Sequence, residues 1–365
     1  MLKKTIRRLG ALAMVLAMAV SVFAVNASAA GGLYEGGESG LTSITLTKKL
    51  TVGAKALTPA ATATFSVTPA NADQVKGGKS VTVNDETKTY PVNVGVAGGL
   101  TFATGKDTVT FAQGQAKVDN TDYAQQQTAL TVDKSKFTAP GIYRYVVTET
   151  SVTGDGVAKD DSTYYVDLYV ENDGDNGYKV VSAEALKVGA NSNEKSDLEF
   201  NNEYTSNTLT VTKKVKGAMG DKTHKWEIAV TVYGTDTNKT FATSYPYPAG
   251  EGTGNVVLKS GEKYTFKLAD TEKVEIYGLS AGDKYIVDET DAKVGTDNYD
   301  VIGEELGTDG EATATISQAT TVTIINTRNA ATPGGVIMTI APYALMVVLA
   351  GAFAVVFLSR RNRAE

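Results

Sequence analysis

Pro140-Gly141-Ile142-Tyr143-Arg144-Tyr145-Val146-Val147-Thr148-Glu149 is the stretch on which the reading of the fold turns. Its aromatic and β-branched residues favour a strand, and the Pro-Gly pair ahead of them marks a turn. Alternate side chains of a strand share a face, so Tyr143, Tyr145, Val147 and Glu149 point the same way. A carboxylic acid is thereby placed on the apolar side of a strand.

Working outward, the same alternation of Thr, Val and Tyr with polar residues recurs in Ser43–Leu50, Ala63–Val67, Thr163–Val170, Lys179–Ala185, Thr208–Val215, Trp226–Val232 and Lys284–Val287. Turn clusters such as Asn172-Asp173-Gly174-Asp175-Asn176-Gly177 separate these segments. That acidic turn fails the test for a calcium loop, because counting from Asp173 its glycine falls fifth where the sixth position needs one. A hairpin is expected there instead. No long amphipathic helix is predicted between the termini. The pattern is all-β, and many short strands with Gly/Asn/Asp turns point to β-sandwiches.

A second observation divides the chain. A lysine, a glutamate and an asparagine occur twice in the same order, each on its own predicted strand. Lys48 follows Thr45-Leu46-Thr47, and Lys213 follows Thr210-Val211-Thr212. Glu149 ends the opening stretch, and Glu289 ends Lys284-Tyr285-Ile286-Val287-Asp288. Asn202 closes Leu198-Glu199-Phe200-Asn201, and Asn326 closes Val322-Thr323-Ile324-Ile325. The intervals differ between the copies while the order is kept, as expected when such residues lie on framework strands. Parity places all six on apolar faces: Lys48 with Ile44 and Leu46, Asn202 with Phe200, Lys213 with Leu209 and Val211, and Asn326 with Ile324. The repeat gives one unit from about residue 42 to 204 and another from about 207 to 327. Their short junction predicts a rod with little freedom to bend.

An amine, an amide and an acid can form an amide bond when all three point into the apolar core, and they are expected on adjacent strands of one sandwich. The amine must be neutral to attack, and burial can lower a lysine pKa by up to ~3–5 units. A neighbouring glutamic acid, kept protonated by burial, can hydrogen-bond the amide oxygen and then shuttle protons as ammonia leaves. Enforced proximity removes up to roughly 7–11 kcal/mol of barrier. The alternative for each residue alone is an ordinary solvated side chain, which Lys49 and Lys214 are expected to be.

The ends carry export signals. Residues 1–30 have the form of a secretory signal peptide: Lys3, Lys4, Arg7 and Arg8, then the apolar run Leu9–Val25, then Ala27-Ser28-Ala29 for cleavage. Val336 to Leu358 is 23 residues without a charge, enough to span a bilayer, and Arg360, Arg361 and Arg363 follow. Residues 329–335 form a linker containing Thr332, Pro333, Gly334 and Gly335. Such a segment is either the hinge of a single-pass anchor or a sorting signal resembling those of sortase substrates. It departs from the usual Leu-Pro-x-Thr-Gly, and cleavage between Gly334 and Gly335 is the expectation.

Composition narrows the functions. There is no cysteine in a chain with export signals, so disulfides and thiolate metal sites are excluded. The single histidine, His224, reads as a surface residue beside Trp226, and no metal or cofactor is expected. The two ends carry seven of the 35 basic residues and one of the 41 acidic ones, leaving 28 against 40 in the ectodomain. That acidic surface disfavours nucleic acid.

Thr-Lys near the start, Tyr143-x-Tyr145-x-Val147-x-Glu149 in the middle and Phe200-x-Asn202 at the end resemble the streptococcal-type major pilin, or T-antigen, family with its isopeptide linkage domain. Asp161-Ser162-Thr163-Tyr164-Tyr165-Val166 strengthens the resemblance. It implies two Ig-like β-sandwiches in tandem, at residues 31–204 and 205–328, each with an internal Lys–Asn isopeptide bond. A transmembrane sorting helix and basic tail would occupy 336–365. Lys48 would join Asn202 with Glu149 as catalyst, and Lys213 would join Asn326 with Glu289. The second unit departs slightly, with Lys284-Tyr285 in place of the paired tyrosines and Ile324 in place of Phe200. The resemblance also implies a lysine late in the first domain for intersubunit linkage. Lys195 fits that place, with Lys187 as competitor. The partners implied are sortase, other copies in a head-to-tail polymer, accessory pilins, peptidoglycan and a host surface, at the cell wall. A wall-anchored adhesin or accessory pilin of the same domain type is the alternative. A secreted enzyme has no cysteine, histidine cluster, phosphate loop or convincing carboxylate pair to support it.

Overall fold

The computed structural model describes residues 31–83, 86–189, 193–289, 293–294, 297–303 and 311–330. The expected signal peptide, sorting motif and membrane span lie outside these residues. Every strand segment expected from alternation is a strand, and the described residues contain no helix beyond two 3₁₀ turns.

Residues 33–204 form a sandwich of an eight-stranded and a five-stranded sheet. The glutamate strand, Gly141–Thr153, sits inside the larger sheet between Ala61–Pro69 and Thr163–Asn172. The lysine strand, Ser43–Thr51, lies in the smaller sheet, paired parallel with the asparagine strand, Glu199–Tyr204. Residues 207–327 repeat this plan with a six-stranded and a four-stranded sheet. There the lysine strand Asn207–Lys216 pairs parallel with the asparagine strand Thr320–Thr327, and the glutamate strand Lys284–Glu289 is in the facing sheet. The first long strand of each sandwich is thus the neighbour of its last.

Period-two burial fills the space between sheets. Ile44, Leu46, Tyr145, Val147 and Phe200 are fully buried in the first core, with Leu209, Val211, Trp226, Ile228 and Ile324 in the second. The glutamate strand departs from simple alternation because its outer face is also covered. Arg144 points outward yet is buried, forked onto Asp167 at 2.7 and 2.8 Å and bonded to the Gln74 carbonyl. Ile142 packs beside it on Val92 and Tyr169. The acidic turn at 172–177 closes the hairpin between Thr163–Asn172 and Tyr178–Val188, as its composition predicted.

The junction is bonded on both sides. Tyr204 Oη donates to the Gly278 carbonyl at 2.7 Å, and Gln113 Nε2 donates to Thr240 Oγ1 at 3.0 Å. Gly156 takes φ +78 there, and a Cβ would come within 2.8 Å of the Thr205 carbonyl oxygen, so glycine is required. Lys239 is 4% exposed and reaches Asp283 at 2.8 Å, Ser280 at 2.7 Å and, across the junction, Asp155 at 3.6 Å. Lys239→Ala strands the fully buried Asp283, and losing one partner of a buried ion pair costs about 3–5 kcal/mol. Urea unfolding followed by tryptophan fluorescence, which reports Trp226, should register that loss in the second domain.

Candidate functional site

The two recurring triplets converge into two buried clusters. In the first, Lys48 is 0%, Asn202 2% and Glu149 3% exposed. Lys48 stands opposite Phe200 in the parallel ladder, which sets Asn202 one inward position further along the neighbouring strand. Lys48 Nζ lies 2.7 Å from Glu149 Oε2 and donates a very short hydrogen bond to Asn202 Oδ1. Asn202 Nδ2 donates to Glu149 Oε1 at 3.0 Å. Phe65 stands 5.9 Å from the amine, and Phe200 packs on Phe65 and Tyr164, so the surroundings are aromatic and dry.

The second cluster repeats the carboxylate bridge, without the hydrogen bond from the lysine to the amide oxygen. Lys213 stands opposite Ile324, with Asn326 again one inward position beyond. Lys213 Nζ lies 3.2 and 3.1 Å from the two Glu289 oxygens, and Asn326 Nδ2 donates to Oε1 at 2.8 Å. The Trp226 ring is 4.9 Å from the amine.

Burial works on both reactive partners. Desolvation pushes Lys48 below the ordinary lysine range against the opposing pull of Glu149, and it brings Lys213 down to about 8 against Glu289. Desolvation likewise raises Glu289, with Lys213 opposing. The neutral amine and neutral acid are therefore nearer in energy to the charged pair than they would be in water.

Two expectations need correction. The three groups do not sit on adjacent strands. Lysine and asparagine do, but each glutamate comes across the core from the facing sheet. Nor does the glutamate hydrogen-bond the amide oxygen. Its two oxygens bridge the lysine Nζ and the asparagine Nδ2, the attacking and leaving nitrogens of an amide exchange.

Sequence reasoning missed Asp160. Its backbone N–H donates to Asn202 Oδ1 at 3.1 Å, from the segment joining the strands Val157–Ala158 and Thr163–Asn172. Its carboxylate accepts the N–H groups of Ser162 and Asn201 at 2.8 and 2.7 Å. In the second cluster, among the described residues, no donor reaches the buried Asn326 Oδ1. Nothing in local alternation marks Asp160, because its role depends on where a loop crosses the asparagine strand.

Lys195 lies apart from both clusters, on the short strand Asn193–Lys195 opposite Leu186. It is half-buried, and desolvation lowers its pKa while Glu35 opposes. Lys187 is exposed, its Nζ 5.9 Å from the Tyr164 ring. Thr332, Pro333, Gly334 and Gly335 lie outside the described residues. His224 is half-buried, edge-on to Trp226 at 4.7 Å. Among the described residues no group of His, Asp or Glu is placed to hold a metal ion.

Residues 44–205 match the family described as Spy0128-like isopeptide containing domain, and residues 207–328 match a domain of unknown function, DUF7601. A curated protein described as "Pilin", from Streptococcus pyogenes serotype M1, is 26% identical over 332 residues, covering 87% of this chain and 91% of the relative. The structure of the major pilin protein T3.2 from Streptococcus pyogenes superposes with a TM-score of 0.52 at 21% identity, covering 82% of this chain and all of that one. A second major pilin structure from Streptococcus pyogenes gives a TM-score of 0.51 at 22% identity, covering 79% of this chain and 99% of the other. At these identities the structural likeness speaks for the fold.

Proposed function

We propose that this chain is a major pilin of the streptococcal type, a structural subunit of a covalently assembled surface pilus, stiffened by Lys48–Asn202 and Lys213–Asn326 isopeptide bonds. The observation that carries the bond assignment is the bridging carboxylate: in each sandwich one glutamate contacts both nitrogens that must exchange a proton.

The chemistry follows from that bridge. Within the buried pair a proton moves from Nζ to the glutamate, leaving a neutral amine and a neutral acid. The Nζ lone pair attacks the asparagine Cγ, and the amide oxygen takes up negative charge. The glutamate returns a proton to Nδ2 and receives the second one from Nζ. The C–Nδ2 bond then breaks, ammonia leaves, and a Lys–Asn amide remains. No external reagent is consumed, and each site turns over once. The reading is of a structural protein, not of an enzyme acting on other molecules. Intact mass of the purified ectodomain tests it. A deficit of two ammonia molecules is expected, and a mass equal to the bare sequence overturns the bond assignment.

Assembly rests on a different lysine. Lys195 combines a sheet-edge position with an amine whose pKa burial has lowered, which enlarges its neutral, nucleophilic fraction. A sortase acting at Thr332-Pro333-Gly334-Gly335 of one subunit would transfer that C-terminus to Lys195 of the next, and the last subunit to peptidoglycan. Accessory pilins and a host surface would be met at the polymer's ends and sides. Lys195→Ala is expected to abolish the high-mass ladder in cell-wall extracts while Lys187→Ala keeps it. The reverse result transfers the role to Lys187, and a ladder surviving the double substitution favours a singly anchored adhesin.

A further inference from the structure

The two clusters share an amine, an amide and a bridging acid, and differ at the amide oxygen. Attack at Cγ moves negative charge onto that oxygen, so a fixed donor there acts on the transition state more than on the ground state. Asn202 Oδ1 has such a donor in the Asp160 N–H at 3.1 Å. Among the described residues, Asn326 Oδ1 is buried with none.

Topology explains the difference. In the first sandwich the strand flanking the asparagine strand is only Val157–Ala158, paired with Tyr204 and Glu203, and it stops before it comes level with Asn202. The chain then turns, and the Asp160 N–H reaches the Asn202 side chain instead of a ladder carbonyl. In the second sandwich the flanking strand Asp300–Gly303 runs past the asparagine, with Val301 opposite Asn326. Its backbone is committed to antiparallel pairing alongside the reacting amide. The Asp160 turn is also held in place. Its carboxylate ties back to Ser162 and, on the asparagine strand itself, to the Asn201 N–H. Burial alone would raise the Asp160 pKa, but the Ser162 and Asn201 hydrogen bonds and the Lys48 charge outweigh it and keep it ionised. The carboxylate therefore remains an acceptor throughout the neutral range.

We infer that the Asp160 backbone N–H is an oxyanion donor for the Lys48–Asn202 reaction, that the Asp160 carboxylate is the positioning group that aims it, and that the Lys213–Asn326 bond, which has no such donor among the described residues, closes more slowly. The inference rests on the isopeptide reading of both clusters. The bonds made and broken are those already given. The added element is a hydrogen bond to the oxyanion of the tetrahedral intermediate, with no change in stoichiometry.

The test is a time course of cell-free synthesis of the full chain, stopped by denaturation, with each cross-linked peptide quantified by mass spectrometry. In the parent chain the first bond should lead the second, by about 10²–10³-fold if the donor is worth what single oxyanion donors are worth elsewhere. Asp160→Ala should slow the first bond towards the rate of the second and leave the second unchanged. Its final deficit of two ammonia molecules relative to its own sequence, and the melting temperature of the finished product, should match those of the parent, which a merely structural role would not predict. Asp160→Asn, which keeps an acceptor oxygen, should restore much of the rate. If the second bond forms as fast as the first in the parent chain, the inference is overturned, whether or not any variant folds. Unchanged first-bond kinetics in Asp160→Ala overturn it too. Absence of both cross-links at all times would sink the isopeptide reading instead, so the two failures are distinguishable.

Discussion

Glu149→Ala is expected to lose one ammonia relative to its own sequence where the parent loses two, with a first domain that melts far lower or does not fold. Two losses combine. The missing cross-link releases a loop of 154 residues between Lys48 and Asn202, which the chain-entropy argument for covalent cross-links values at about 5 kcal/mol. In a domain of this size that is worth roughly 10–20 °C in melting temperature. The substitution also removes the counter-charge of a lysine with no exposed surface, at about 3–5 kcal/mol. Together these rival the whole stability of an ordinary domain. Asn202→Ala separates the two terms, since it prevents the bond but keeps the Lys48–Glu149 contact at 2.7 Å. Melting temperatures should run parent, then Asn202→Ala, then Glu149→Ala. Trypsin resistance of residues 31–204 should follow the same order. Equal melting of parent and Asn202→Ala would show that the bond contributes nothing to stability.

The proposed cross-link would also have a mechanical role. In both sandwiches the proposed bond would join the first long strand to the last, and those strands run parallel, side by side. Tension entering at one end of a domain and leaving at the other passes along two neighbouring strands. The proposed covalent bond between them would carry the load that hydrogen bonds otherwise bear. The junction bonds of Tyr204 and Lys239 keep successive domains in register with that path. A chain without cysteine has no disulfide with which to do this.

How far the sequence revealed all this depends on which interactions have a local period. Lys48, Glu149, Asn202, Lys213, Glu289 and Asn326 were legible because strand parity assigns a face, and each shares its face with large apolar residues. Parity says nothing about which sheet a strand joins. That is why Glu149 was expected beside Lys48 and instead meets it across the core. Arg144 illustrates the same limit. Alternation assigns it to the outer face, where solvent would be the default, yet Asp167 and the backbone of Gln74, 70 residues away, enclose it. Asp160 was invisible for a third reason. Its contribution is a backbone N–H, which every non-proline residue possesses, so only the crossing of a loop over the asparagine strand singles it out. Lys239 belongs with Asp160, since its partners Asp155 and Asp283 come from different domains.

The second cluster should leave a pH signature that the bond itself erases. In Asn326→Ala the cross-link cannot form, and Lys213 stays a free amine facing Glu289. Burial lowers its folded pKa to about 8, from an unfolded value of 10.5. Between those values the unfolded chain holds more protons than the folded one, so stability rises with pH across that window. The rise amounts to about 3 kcal/mol for a shift of this size. Glu289 acts in the opposite sense at lower pH. Its folded pKa is raised, so the stability it contributes is complete below 4.5 and is lost as pH climbs through the folded value. The second domain of Asn326→Ala should therefore be weakest between the two titrations and recover on the alkaline side. The parent should lack the alkaline recovery, because an amide nitrogen does not titrate. Subtracting parent from variant removes the tyrosines and lysines common to both. Urea unfolding read from Trp226 fluorescence, at intervals from pH 6 to about 10.5, measures the difference. Lys213→Met in the same background should flatten the alkaline limb. A difference curve that stays level above pH 8 would mean that the Lys213 amine is solvated, and the same result would remove the neutral nucleophile on which the second bond depends.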